Sequence, residues 1–285
     1  MITLRRAFDL DGRADVIRVR IFSDVHLGQK AASETTLARA IAEVAADPSM
    51  YWIGLGDIID AVGVADRKRF SARSLAAWLT VADMDDIVGA QHRKAVEVFR
   101  PIAGKCLAFL EGNHETAVAK YHERNVYRAI VSDLVAAGAP ADIGLGYCGN
   151  LVTTFRRGDK ASTTTLRWHL HHGYGGGKLL GGKALNLERL MASHPDCEIV
   201  LMGHVHAALH TTLPVYRLDR EGNETLRTRH GLICGTFMRP SVPDSGPTYG
   251  EVFGYPPSPV AYPDIILRPG AERPADRIRA VMHYA

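Results

Sequence analysis

The segment "LRWHLHHGYGGGKLLGGKALNLERL", residues 166–190, admits two readings, and the choice between them decides what the rest of the chain has to be. Gly177 to Lys183 follows G-x-x-x-x-G-K, most of a phosphate-cradling P-loop. Just upstream, His171, His172 and Gly173 suit a metal site instead. The P-loop reading fails at its last letter, because Ala184 stands where a Ser or Thr hydroxyl would hold Mg²⁺. The next apolar run, "CEIVLMGH" (197–204), also lacks the terminal acid that would complete a nucleotide site. The metal reading therefore depends on whether other ligands arrive from elsewhere in the chain.

Working outward, short apolar and β-branched runs alternate with helical stretches. Strands are expected at "VIRVRIFSD" (16–24), "MYWIGLGD" (50–57), "KCLAFLEGN" (105–113), "TTTLRWHLHHG" (163–173) and 197–204. Helices are expected over 35–47, stopping before Pro48, and over most of Arg67–Arg100, where "DDIVGAQHRKAVEVF" is clearest. Two more are expected over 123–138, capped by Gly138, and at "ALNLERLMAS". Beyond His206 the chain reads as strands joined by a turn at Glu221-Gly222-Asn223. The stretch from Pro240 to Pro274 is rich in Pro and Gly and is expected to wrap over the surface. The whole reads as one α/β domain over 1–285, a layered β-sandwich flanked by helices. Its motif-bearing core is about 16–210, with a β-rich closing section and a surface tail at 211–285.

The polar residues cluster where the strands end. The first expected strand delivers Asp24 and His26, the second Asp57 and Asp60, and the third Asn113 and His114. The fourth delivers His172, and the fifth His204 and His206. Parallel strands place their C-terminal ends along one edge, so these side chains are expected to meet there. Carboxylate, imidazole and amide oxygen suit Mn, Fe, Zn or Ni better than Ca or a thiolate-bound metal. The ligands exceed the needs of one ion, and a single carboxylate can bridge two ions about 3.5–4 Å apart. In D-x-H, alternate residues point the same way, so Asp24 and His26 can grip one ion. G-H-x-H repeats that geometry, with the glycine allowing close backbone approach. Two such ions clamp a phosphate and lower the pKa of a shared water. His114 is then the natural proton donor to the leaving oxygen.

The totals set outer limits. The chain has 285 residues, 46% apolar and 23% charged, the composition of an ordinary globular protein. The 34 basic and 31 acidic residues leave a net charge of +3, which does not by itself argue for nucleic acid. Cys106, Cys148, Cys197 and Cys234 form no C-x-x-C pair, which excludes a zinc ribbon and suits a reduced compartment. No N-terminal apolar leader or membrane-length apolar run occurs, so a cytoplasmic protein with no membrane contact is expected.

Taken together, D-x-H, G-D-x-x-D, G-N-H-E, H-G and G-H-x-H over residues 24–206 resemble the calcineurin-like metallophosphoesterase superfamily, and the overall texture its phage and microbial members. The resemblance implies a first metal held by Asp24, His26 and His206, and a second held by Asn113, His172 and His204. It implies Asp57 as the bridge between them. It also implies His114 as general acid or substrate-phosphate contact, oriented by Asp60, and Asn113 beside the substrate. His171 is the weaker ligand of its pair, because the family's histidine directly precedes glycine. Two divalent ions are the implied cofactors, with Mn²⁺ the first expectation. Ala61 replaces the arginine of the phosphoprotein phosphatases, which turns the expectation toward phosphodiesters. With 79 residues after His206, the capping region that follows the core in the superfamily's repair nucleases is expected to be missing.

The primary expectation is thus a dinuclear metal-dependent phosphodiesterase acting on a phosphate-ester substrate, with phosphomonoester cleavage as an alternative. Lys178 or Lys183 is expected to touch a second phosphate group. A nuclease reading keeps the chemistry and takes DNA or RNA as substrate, using Arg67, Lys68, Arg69 and Arg73 beside Phe70. A third reading makes the fold a non-catalytic scaffold, which the full ligand set disfavours.

Overall fold

In chain order the strands are β1 (Ile2–Leu10), β2 (Ile17–Phe22), β3 (Met50–Gly54), β4 (Cys106–Leu110), β5 (Gly144–Gly146) and β6 (Cys148–Arg157). They continue as β7 (Ser162–His171), β8 (Ile199–Met202), β9 (Ala208–Leu218), β10 (Glu224–Cys234), β11 (Ala261–Leu267) and β12 (Ile278–Tyr284). The helices are α1 (Glu34–Ala46), α2 (Ile87–Phe99), α3 (Asn113–His122), α4 (Val126–Ala136) and α5 (Leu180–Ser193). This computed structural model describes residues 1–64, 66, 69–122, 124–157, 162–218, 221–243, 251–252 and 254–285.

Strand β2 shows how the sequence builds the layers. Successive side chains of a strand face opposite ways. Val19 and Ile21 enter an apolar layer between two sheets, with Trp168, Leu170, Leu201 and Leu232 opposite. Phe22 enters a second layer with Leu37, Trp52, Phe99 and Leu134, under α1, α2 and α4. A third layer joins Leu187, Leu190 and Met191 of α5 to Val200, Met202 and Ile233. Helices therefore cover the outer face of each sheet, and the sheets face each other, as expected for an α/β sandwich.

Both sheets are six-stranded, with orders β1-β6-β7-β8-β10-β9 and β12-β11-β2-β3-β4-β5. In the second, β2, β3, β4 and β5 run parallel. In the first, β7, β8 and β10 run parallel. The C-terminal ends of β2, β3, β4, β7 and β8 carry the expected motifs. At the meeting of the sheets, a Cβ on Gly203 would lie 3.0 Å from Asp24 Oδ2 and 2.9 Å from the His172 carbonyl, so only glycine fits.

The structure corrects the sequence reading in three places. The Pro-rich tail does not simply wrap the surface: its Ala261–Leu267 is buried strand β11, paired between β2 and β12. Pro263 disguises it, since proline is ordinarily excluded from interior strands. Strands β1 and β6 were not anticipated; they pair in parallel and extend the first sheet. The helix expected over Arg67–Arg100 reduces to α2, preceded by short 3₁₀ turns at Ala72–Ser74 and Val81–Asp85. Arg67 and Lys68 lie outside the described residues.

Gly138, at φ +106°, follows α4 as expected. All four cysteines are free, with Cys106, Cys197 and Cys234 buried. No helix of the described residues is long and apolar enough to cross a membrane.

Candidate metal centre

The D-x-H, G-D-x-x-D and G-H-x-H motifs leave their strands through backbone turns that few residues adopt. Among the described residues, Asp24 (φ 52°), His26 (52°), Asp57 (50°), Ala61 (53°), His204 (68°) and His206 (47°) are the non-glycine residues with positive φ. An L-residue in that region costs about 1–2 kcal/mol and persists only when its surroundings impose it. All but Ala61 are expected site residues, so the strain is concentrated at one place. The turns are held by main-chain bonds between motifs, from His26 N–H to the Asp57 carbonyl (3.0 Å) and from Asp24 N–H to the Gly56 carbonyl (3.1 Å).

Among the described residues, three groups of side chains offer ligand atoms within 4.8 Å of one another: Asp24, His26 and His206; His26, Asp57 and His114; and Asp57, His172 and His204. The Nε2 atoms of His26 and His206 face each other at 3.2 Å, and His206 Nε2 lies 3.2 Å from Asp24 Oδ1. In the other outer group, His172 Nε2 lies 3.3 Å from Asp57 Oδ2 and 3.0 Å from Asn113 Oδ1. Asp57 Oδ2 is also 3.9 Å from His26 Nε2, so it stands between the two outer groups. The first group brings together Asp24, His26 and His206, and the third brings Asp57 beside His172 and His204.

The donor set fits divalent cations. Asp24 Oδ1 and His26 Nδ1 are buried and have no hydrogen-bond partner. His172 donates its Nδ1–H to the Leu55 carbonyl at 2.8 Å, which orients Nε2 toward Asp57. Burial opposes ionisation of both aspartates, yet the imidazoles around them win. Asp57 is held well below the usual carboxylate range by His172 and His114, and Asp24 is lowered by His206 and His172. Conversely, burial disfavours the charged imidazole of His172, while Asp57 raises it to about 9. A proton then balances the carboxylates where no ion is bound, and a divalent ion would displace it.

Two expected positions differ in detail. Asp60 meets His114 through its main-chain carbonyl, a short contact with Nδ1, while its carboxylate lies 3.8 Å from that nitrogen. The same carboxylate is 3.7 Å from His26 Nδ1. Lys178 is exposed, and among the described residues no hydrogen bond or ion pair ties it to the cluster. His171 also turns aside, its Nδ1 accepting the Gly173 N–H at 2.8 Å.

Sequence reading missed Glu115. Its buried carboxylate accepts main-chain N–H groups of Asp57 (3.0 Å), Ile58 (2.8 Å), Ile59 (3.1 Å) and Gly112 (2.9 Å). It thus locks the G-D-x-x-D loop to the G-N-H-E loop. Burial and the nearby Asp57 push its carboxyl up to about 7, against those N–H groups. Its only sequence signal is the last letter of G-N-H-E. Arg69 and Phe70 line a cleft with Asp60, and the Arg69 guanidinium is paired with Asp66 at 2.6 Å.

A protein-family model described as calcineurin-like phosphoesterase matches residues 17–208. No curated protein matches. Among solved structures, the chain is similar to a conserved uncharacterized protein of Streptococcus pneumoniae TIGR4 described as a predicted phosphoesterase. The identity is 11% and the TM-score 0.34, with 94% of this chain and 99% of that one covered. Vps29 from Entamoeba histolytica, solved with Zn²⁺, gives 9% identity and a TM-score of 0.39 over 94% of this chain and 99% of that one. The calcineurin-like phosphoesterase YfkN from Bacillus subtilis gives 11% and 0.38, over 94% and 90%.

Proposed function

We propose that this chain, which belongs to the calcineurin-like phosphoesterase family and is thereby a metal-dependent phosphoesterase, cleaves phosphodiesters at a two-ion centre. The observation that carries the reading is the position of Asp57 Oδ2 between His172 Nε2 at 3.3 Å and His26 Nε2 at 3.9 Å. In this reading Asp24, His26 and His206 would hold one ion and Asn113, His172 and His204 the other, with Asp57 available to both. Manganese is the first candidate, with iron, zinc and nickel as alternatives. Two divalent ions, when bound, supply Lewis-acid polarisation of a phosphoryl group and a nucleophile at neutral pH.

The remaining chemistry belongs to the chain. His114 is fixed by its main-chain N–H to Asp57 Oδ1 (2.9 Å) and by its Nδ1 contact with the Asp60 carbonyl. Nδ1 is thus the donor to Asp60, which leaves Nε2 to face the substrate. Burial works against a charged imidazole here, but Asp57 and Asp60 raise His114 above the ordinary histidine range. A protonated Nε2 suits delivery of a proton to the leaving oxygen. Preference for a diester is supported by Ala61, a small buried side chain where a phosphatase arginine would otherwise grip a dianion.

The test uses protein stripped of metal and reloaded with Mn²⁺, given a nitrophenyl phosphodiester and the matching monoester. His114→Ala is expected to retain its metal and to lower turnover about 10²–10⁴-fold. Undiminished turnover would remove His114 from the mechanism, and faster monoester cleavage would overturn the diester preference. A nuclease reading is favoured by Arg69 and Phe70 beside Asp60, a cation and an aromatic ring next to the centre. Arg69→Glu with unchanged DNA affinity and DNA cleavage would dismiss it.

A further inference from the structure

The start of α5 is unusually bare. Its N-cap is Leu179, which has no side-chain oxygen, and its first turn contains no acid. The first N–H groups of the helix consequently have no side-chain cap. Glycine lines the approach: a Cβ on Gly181 would meet nothing within 4 Å, and one on Gly182 would meet only Gly177 Cα at 3.9 Å.

Topology puts this helix end at the metal-bearing edge. α5 connects β7 to its parallel neighbour β8, so it runs back antiparallel to both. Its N-terminus therefore lies toward the strand ends that carry His172 and His204. The buried stripe of α5 is Lys183, Leu187, Leu190 and Met191. Leu187 and Met191 pack on Gly231, which is paired with Val200. Lys183 lies one turn further along the stripe, toward the β8 end and the G-H-x-H turn.

Lys183 is only 7% exposed, and among the described residues no carboxylate pairs with its ammonium. The Tyr255 ring lies beneath it, 6.0 Å from Nζ to the centroid, at the outer limit of a cation–π contact. The Tyr255 hydroxyl in turn lies 3.7 Å from where a Cβ on Gly176 would stand, so this tyrosine spans the glycine loop and the lysine. Burial alone holds the ammonium below the ordinary lysine range. A buried cation without a counter-charge is costly unless an anion joins it.

We propose that Lys183, the uncapped N–H groups opening α5 and the Tyr255 hydroxyl form a second anion subsite at the rim of the metal centre. It takes a phosphoryl group of the substrate other than the one hydrolysed. The substrate class is then a phosphate ester that carries a further phosphate. A helix N-terminus and a lysine are the two elements such a group needs. The inference rests on the phosphoesterase reading above, and of the two lysines expected to touch a second phosphate it selects buried Lys183 over exposed Lys178.

The experiment compares propane-1,3-diol monophosphate with propane-1,3-diol bisphosphate, binding calorimetrically to Mn²⁺-loaded protein. The bisphosphate is expected to bind about tenfold or more tightly, the scale of one charge-assisted hydrogen bond. Lys183→Met should bring that ratio to about one, and Lys183→Arg should keep part of it. A second measurement needs no variant: amine acylation of the native protein, mapped by mass spectrometry, should be blocked at Lys183 by the bisphosphate and not by the monophosphate. Equal affinities in the native protein, a preference that survives Lys183→Met, or equal protection by both compounds overturns the subsite. If the nitrophenyl esters are cleaved in that case, the phosphoesterase reading stands alone. If the native protein neither binds the monophosphate nor turns over those esters, both readings fall.

Discussion

At the scale of the residue, the centre depends on side chains that touch no substrate. Glu115 gathers four main-chain N–H groups from two motif loops, and through them fixes the peptide that presents Asp57. A carboxylate is suited to this because every lone pair accepts. Glu115→Gln keeps the shape but turns one oxygen into an N–H₂ that faces N–H donors. The expected outcome is a folded protein whose Mn²⁺ affinity falls about 10–100-fold, the usual cost of disturbing a ligand's support. Circular dichroism and metal titration check it, and wild-type affinity in the variant would show that the loop holds itself. Gly112 belongs to the same device: a Cβ there would collide with Asp57 N and Oδ1. Gly112→Ala should therefore displace Asp57 and abolish stable metal binding, measured as metal retained after gel filtration.

At the scale of the element, β11 is docked by an ion pair as well as by apolar packing. Arg20 of β2 is 2% exposed and makes a two-bond contact with Asp264 of β11, at 2.8 and 2.9 Å. It also bonds the Ala40 carbonyl (2.9 Å) and Glu43 (2.6 Å) of α1, and stacks over Tyr262 at 5.0 Å. One guanidinium thus joins the central strand, a helix and a strand more than two hundred residues away in sequence. Asp264→Ala would strand a buried charge and is expected to cost about 3–5 kcal/mol. Urea unfolding measures the loss, and a change below about 1 kcal/mol would mean that Glu43 alone suffices.

At the scale of the whole molecule, buried neutral histidines outside the candidate ligand set make the fold acid-sensitive. His169 is fully buried, with Nδ1 bonded to Asn150 Oδ1 at 3.0 Å and Nε2 unpartnered, and burial with the stacked His194 pushes it down to about 3. His230 is likewise lowered to about 4, by burial and then by His210. Unfolded histidine titrates near 6.5, so between about pH 6.5 and 4 the unfolded chain binds more protons than the folded one. Stability is therefore full above pH 6.5 and falls as pH drops, by about 1 kcal/mol per pH unit for each such group. Urea midpoints at pH 7 and pH 5 should differ less for His230→Gln than for the native protein. Equal differences would show that His230 takes up its proton in the fold.

The local alphabet of the chain determined much of this. Apolar runs ending in D-x-H, G-D-x-x-D, G-N-H-E, H-G and G-H-x-H were legible as strands carrying ligands, because strand period and ligand chemistry are local properties. The α/β layering followed from the alternation of those runs with helices. What sequence could not decide depends on partners distant along the chain. Strand β11 contains a proline, and its burial is favoured by β12 and by β2 with its Arg20, which lies more than two hundred residues away in sequence. Glu115 looks like an ordinary helix-start acid until the Asp57 loop is folded over it. Lys183 reads as part of a failed P-loop until α5 is laid on its sheet and the ammonium is left buried beside Tyr255. The candidate ligands could be read from local sequence; support, burial and charge balance arise only when separate strands converge on one edge.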